Sequence, residues 1–250
     1  MLEPDFCWQT FEHWLSNETS FGEQEVEWRR FKGETEHIIS FMERNAGRPA
    51  VVFFDGSLII SFVGLMAPER QQAYVELTET LLAKSEATRV PVIGYVDTSF
   101  ASDLSALIAL LYGYTGTRVS DATLLRDRMK WGERSRLYIC SRHDTLSNSA
   151  FYESVCFTYL KTTRENPPAR VELPLWTLDA EYYQWVLDIV RAECIVGIGY
   201  PYPIETADSV AVLSSQDRES FYQIFQQFAE RQTLPLRFSR KSTSKRRRRL

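Results

Sequence analysis

Trp28, Phe31, Thr35, Ile38, Ile39 and Met42 recur at helical spacing in an otherwise charged stretch. This pattern predicts a helix from Glu25 with one buried stripe, ended by Asn45-Ala46-Gly47-Arg48-Pro49. At about 100° per residue, Glu34 and Glu36 flank the stripe on opposite sides. The next run, Ala50 to Phe54, is continuously apolar, as in a strand covered on both faces, and stops at Asp55-Gly56-Ser57. A second apolar run, Leu58 to Leu65, follows directly. Pro68 opens another helix, with Tyr74, Leu77, Leu81 and Leu82 inward. Val90 to Val96 repeats the buried-strand pattern and ends at Asp97, and Leu104 to Tyr112 reads as a helix. Such alternation of helix and strand predicts an α/β sheet.

The later pattern is more broken. It predicts a short helix near Asp121 to Met129, strands at Arg136 to Cys140, Ser154 to Leu160 and Arg170 to Leu173, and a helix from Tyr182 to Glu193. Two further helices are expected over Glu205 to Leu213 and Arg218 to Ala229, the latter with Phe221, Ile224, Phe225 and Phe228 on one side. Residues 1–24 read as an irregular lead-in, 25–236 as one domain, and 237–250 as a tail without regular structure.

Composition changes this picture in one place. The 250 residues carry a net charge of −4, but Arg237, Arg240, Lys241 and Lys245 to Arg249 gather at the end with no acid among them. Without those eight cations the body has 21 basic and 33 acidic residues, a net charge of −12. Lys245, Arg246, Arg247, Arg248 and Arg249 are candidate phosphate contacts through counterion release; the alternative is a solvated end. The four cysteines (Cys7, Cys140, Cys156 and Cys194) form no metal-binding spacing and are expected to be reduced and mostly buried. The N-terminus has neither the basic nor the apolar region of an export signal, and no run is long enough to span a bilayer, so a cytoplasmic location is expected.

Acids at strand ends are the candidate chemistry. In open α/β sheets ligands sit beyond the carboxyl ends of the strands, where Asp55 and Asp97 fall. Carboxylates that share a cleft repel one another unless a cation joins them, and such hard oxygen donors suit Mg2+ or Mn2+. Equally, an Asp-Gly-Ser after a strand can be a turn with the aspartate capping backbone. Ser57 lacks a nucleophile elbow, no phosphate-binding P-loop is present, and Gly197-Ile198-Gly199 is not a dinucleotide fingerprint.

Five segments, in order, resemble the NurA nuclease family. They are the acidic helix Arg29-Arg30-Phe31-Lys32-Gly33-Glu34-Thr35-Glu36, the strand end Val52-Phe53-Phe54-Asp55-Gly56-Ser57-Leu58, and the "P-x-x-G" strand Val90-Pro91-Val92-Ile93-Gly94-Tyr95-Val96-Asp97 in its bacterial form. The "R-x-E-x-P-x-W" strand Arg170-Val171-Glu172-Leu173-Pro174-Leu175-Trp176 and Gly199-Tyr200-Pro201-Tyr202-Pro203 with Ala207-Asp208 complete the set. The resemblance implies an RNase H-like mixed sheet flanked by helices, shortened at its N-terminus. It also implies Mn2+- or Mg2+-dependent cutting of DNA at double-strand breaks, and a homodimer acting with a hexameric HerA-like ATPase. Carried over by residue, Asp55 is a metal ligand, Glu36 (or Glu34) a second and Asp208 a third, in a place where many members have histidine; Tyr200 lies at the rim. The family's first strand ending in Asp-Gly-Ser has no counterpart before the acidic helix, since Asp5 follows Pro4 and no apolar run. The alternative expectation is therefore an inactive scaffold that docks on a motor ATPase or DNA.

Overall fold

The computed structural model describes residues 23–60, 66–116, 119–141, 152–178, 180–212 and 214–231. The lead-in up to residue 22, Cys7, most of the second apolar run and the basic tail with Lys245 to Arg249 lie outside them. Two compact units divide the chain, Met1–Ile204 and Glu205–Leu250.

In the first unit, helix α1 (Glu23–Arg44) leads to strand β1 (Val52–Asp55), helix α2 (Pro68–Thr88) and strand β2 (Val92–Val96). Then come α3 (Asp103–Tyr112), α4 (Asp121–Leu125), β3 (Tyr138–Ile139), β4 (Val155–Leu160), β5 (Ala169–Pro174), a 3-10 turn (Leu175–Leu178) and α5 (Ala180–Val196). The strands form one five-stranded sheet in the order β1-β2-β5-β4-β3. β1 and β2 are parallel, and the other neighbouring pairs are antiparallel. This is the mixed α/β sheet flanked by helices that the sequence led one to expect. By these directions β1, β2 and β4 all point their carboxyl ends to the same side.

Alternation along the strands builds a core on each face. Val52, Phe54, Val92, Val155, Phe157 and Tyr159 pack with Trp28, Phe31, Met42, Tyr74 and Leu81 of α1 and α2. Val51, Phe53, Ile93, Tyr95, Val171 and Leu173 face the other way, against Val186, Leu187, Val190 and Cys194 of α5. Helix α1 is aligned by aromatic contacts: Phe31 lies edge-on to Phe54 at 6.4 Å between ring centroids, and Trp28 edge-on to Tyr74 at 4.8 Å. Glu25 ties α1 to α2 by accepting from Arg70 at 2.8 Å as well as from Arg29 at 3.0 Å. Hydrogen bonds from Arg70 and then Arg29 hold its carboxyl below the usual range.

Several elements differ in extent from expectation. α1 starts at Glu23, two residues early; β1 includes Asp55; α4 stops at Leu125; and the expected strand over Arg136 to Cys140 shrinks to Tyr138–Ile139. The last is physical. Among the described residues β3 pairs with β4 on one side only, and Ile139 is 53% exposed, so little burial sustains a longer edge. α2 ends where Arg89 takes a left-handed conformation (φ 58°) and its N–H returns to the Glu86 carbonyl.

Helix α6 (Tyr202–Ala211) lies across the unit boundary, and α7 (Ser215–Arg231) belongs to the second unit. On α7, Phe221 stacks on Phe225, while Phe221, Tyr222 and Ile224 remain exposed. Cys140, Cys156 and Cys194 are buried; burial pushes the Cys194 thiol up to about 11 and Cys156 to about 12. No helix among the described residues is long and apolar enough to cross a membrane.

Candidate active site

The turn after β1 is shaped by its neighbours rather than by its own sequence alone. Gly56 has φ +137°, a conformation that side-chain-bearing residues rarely adopt, and its N–H bonds to the Tyr95 carbonyl at 3.1 Å. The chain then crosses over β2 at Gly94. A Cβ there would meet Leu58 Cγ at 2.9 Å and the Gly56 carbonyl at 3.0 Å. The glycine of the "P-x-x-G" strand is thus the space through which the turn passes into the core.

Glu172, opposite Gly94 on β5, fastens that turn. Its Oε2 accepts from Ser57 Oγ at 2.8 Å, from the Leu58 N–H at 2.8 Å and from the Ile59 N–H at 3.2 Å. Oε1 accepts from Arg170 Nε at 2.6 Å. Arg170 in turn donates through Nη1 to Asp103 at 2.8 Å and to the Tyr159 hydroxyl at 3.2 Å, while its guanidinium carbon lies 3.8 Å from the centre of the Phe157 ring. Tyr159 donates to Asp121 at 2.9 Å, and Asp121 also accepts the N–H groups of Leu104 and Ser105 at the start of α3. Burial works against a charge on Arg170, but Glu172, Tyr159 and Asp103 outweigh it and hold the group above its ordinary value. Trp176 completes this frame by donating to Ser85 of α2 at 3.2 Å. Arg170, Glu172 and Trp176 of the late motif therefore have structural duties. Sequence reading missed them because the turn, Asp103 and Ser85 that they hold are distant along the chain.

Asp55 emerges from this frame into solvent at the carboxyl end of β1. Its Oδ1 accepts the Tyr200 hydroxyl at 3.0 Å. Tyr200 is placed by the close of α5. The N–H groups of Gly197 and Gly199 return to the carbonyls of Glu193 and Cys194, and Gly199 has φ +110°. A Cβ on Gly197 would meet the Tyr200 carbonyl at 2.0 Å. The Tyr200 ring lies edge-on to Tyr95 at 5.3 Å, and burial pushes the Tyr95 phenol well above its usual range. Asp97, just past the end of β2, is exposed and among the described residues accepts a 3.5 Å contact from Thr98.

Asp55 and Tyr200 are thus brought together. Among the described residues no tertiary ion pair or hydrogen bond holds Glu34 or Glu36: their side chains are 54% and 57% exposed, and each faces a cation one turn earlier, Arg30 and Lys32, at 3.7 Å. Asp208 is exposed on α6 and lies in the second unit. Asp55 keeps Oδ2 without a hydrogen bond among the described residues, a hard donor of the kind that Mg2+ or Mn2+ takes. Among those residues no three His, Cys, Asp or Glu side chains gather in a group that could hold a metal ion. One carboxylate therefore fits such an ion; the described residues do not assemble a complete ligand set.

No match was found among curated proteins or among solved structures. The family model of the NurA domain matches residues 7–213, spanning the turn after β1, the Glu172 latch and Tyr200. The chain belongs to the NurA family of DNA-end-processing nucleases.

Proposed function

We propose that this protein is a divalent-metal-dependent deoxyribonuclease acting on DNA ends in double-strand break repair. The observation that carries this reading is the exposed Asp55 carboxylate, fixed at a strand end by the Gly56 turn and oriented by the Tyr200 hydroxyl. Asp55 would hold Mn2+ or Mg2+, joined by Glu36 or, in its place, Glu34 after either side chain swings from its exposed ion pair. Such pairs are worth only about 0.3–0.5 kcal/mol, so releasing one costs little. A bound ion supplies activated water and neutralises charge on the phosphodiester. Tyr200 keeps one carboxylate oxygen engaged and leaves the other facing solvent. Family membership supports work as a homodimer with a HerA-like hexameric ATPase, and the Lys245 to Arg249 tail suits additional phosphate contact.

Incubation of the purified chain with linear DNA and Mn2+ tests this directly. Wild type should cut, EDTA should abolish cutting, and Asp55→Asn should lower the rate by about a hundredfold or more, since loss even of an outer-shell partner costs about 10–100-fold. Equal cleavage by wild type and Asp55→Asn would overturn the assignment. A second reading, a scaffold that binds DNA or a motor without cutting, is favoured by the lack of a gathered three-ligand group among the described residues. Binding without metal-dependent cleavage by wild type is its signature.

A further inference from the structure

β4 ends on the same side of the sheet as β1, three strand positions away. At about 4.8 Å per strand this is roughly 14 Å from Asp55, or roughly four nucleotides of a B-form strand. At that place a groove of about 220 Å³ runs between the loop at Gly132 and helix α5. Leu160 and Leu187 line it, together with Arg134 from the loop side and Asp188 and Arg191 from α5.

Three features suit it to a nucleic acid strand. Arg134 and Arg191 are both exposed, and neither forms an ion pair with a carboxylate among the described residues. Arg134 is steadied over the Tyr183 ring at 5.7 Å, leaving its charge available in the groove. Next to Gly132, Trp131 is 52% exposed, yet its Nε1 donates to the Thr162 carbonyl at 3.1 Å. An exposed indole fixed by its edge is a stacking platform that loses little freedom when a base covers it. Thr163, beside the Thr162 that Trp131 bonds, packs against Gly199, which precedes Tyr200. Asp188 is the opposing charge in the groove and weakens any anion bound there.

We propose that Arg134, Arg191 and Trp131 form a secondary DNA-strand subsite, with the arginines on phosphates and the indole on a base, that holds the substrate a few nucleotides from Asp55. This rests on the nuclease reading for the identity of its ligand as DNA.

The test is binding of a fluorescein-labelled oligonucleotide, single-stranded and as a blunt duplex, to the full chain in EDTA across a salt series. Arg134→Ala/Arg191→Ala should weaken binding and lower the slope of log K against log salt by about 1.4–1.8, the value for two phosphate contacts. Arg134→Lys/Arg191→Lys should retain the slope. Trp131→Ala should weaken binding by about fivefold to a hundredfold, partly restored by Trp131→Phe. Asp188→Asn should tighten it. Wild-type affinity and slope in the folded alanine double variant would overturn the proposal. Cleavage by wild type and Asp55→Asn, run alongside with Mn2+, separates the two readings. If the arginine variants lose binding while wild type does not cut, the subsite stands without the nuclease. If wild type cuts and the arginine variants bind normally, the nuclease stands without the subsite.

Discussion

The first unit uses the same chemical group in two opposite ways. Glu172 and Asp121 are 1% and 0% exposed, each accepting several hydrogen bonds inside the core around Arg170. Asp55 and Asp97 stand in solvent at the ends of adjacent strands, and among the described residues Asp55 has a single tyrosine hydroxyl for company. The buried acids fasten backbone; the strand-end acids are presented by it. A carboxylate kept open for a ligand cannot also stabilise the fold strongly, so its position must be fixed by other residues. Here the fixing falls to Glu172, whose side chain grips the turn immediately after Asp55.

If that division is right, substituting the two kinds of acid should have opposite consequences. Glu172→Ala leaves Arg170 to Asp103 and the Tyr159 hydroxyl, with its Nε unpaired in the core, and frees Ser57, Leu58 and Ile59 together. Breaking a buried pair by removal of one partner costs about 3–5 kcal/mol, so the urea midpoint should fall steeply. Asp55→Ala should stay within about 0.5 kcal/mol of wild type, as exposed substitutions usually do. Similar midpoints for the two variants would break the comparison.

Gly94→Ala sharpens it by disturbing the turn without touching a charge. The added methyl would press on Leu58 and the Gly56 carbonyl, and overpacking of this kind costs about 1–3 kcal/mol. Thermal unfolding should show the loss. If DNA cutting is assayed as well, activity should fall further than the folded fraction does, because the displaced atoms adjoin Asp55. An unfolding midpoint equal to wild type would mean that the turn yields freely and that Glu172 is not holding it in one position.

How far the sequence reveals all this depends on the range of the interaction. The long helices and the buried strands were legible because each repeats a local period over many residues: the α1 stripe from Trp28 to Met42 is packed as expected, and β4 and β5 are buried along their whole length. β3 was overread because its apolar residues carry no sign that one side lacks a neighbour among the described residues. Asp55 was legible as a strand-end acid, and the family resemblance pointed to Tyr200. The reason for Gly94 was hidden, since it depends on a turn that arrives from residues 56–58. The Glu172 latch reaches across 114 residues to Leu58, and no spacing rule marks such a partner. Glu34 and Glu36 illustrate the opposite limit. Their helical phase could be read, but not whether tertiary contacts would hold either one, and the fold leaves both in local ion pairs.

The mildest probe is Tyr200→Phe, which removes one hydroxyl and keeps the ring against Tyr95. Because the hydrogen bond reaches an exposed carboxylate, stability should change by no more than about 0.5 kcal/mol. Cleavage should respond more than stability. Without the tyrosine, Asp55 can rotate among several orientations, and if about 1 kcal/mol of transition-state stabilisation is lost the rate falls about fivefold. The effect belongs in kcat, with KM for DNA little changed, because the hydroxyl orients a carboxylate and holds no part of the nucleic acid in this reading. A Tyr200→Phe enzyme with wild-type kcat would show that the frame beneath β1 fixes Asp55 unaided. A fall in stability matching that of Gly94→Ala would instead place Tyr200 among the groups that hold the fold.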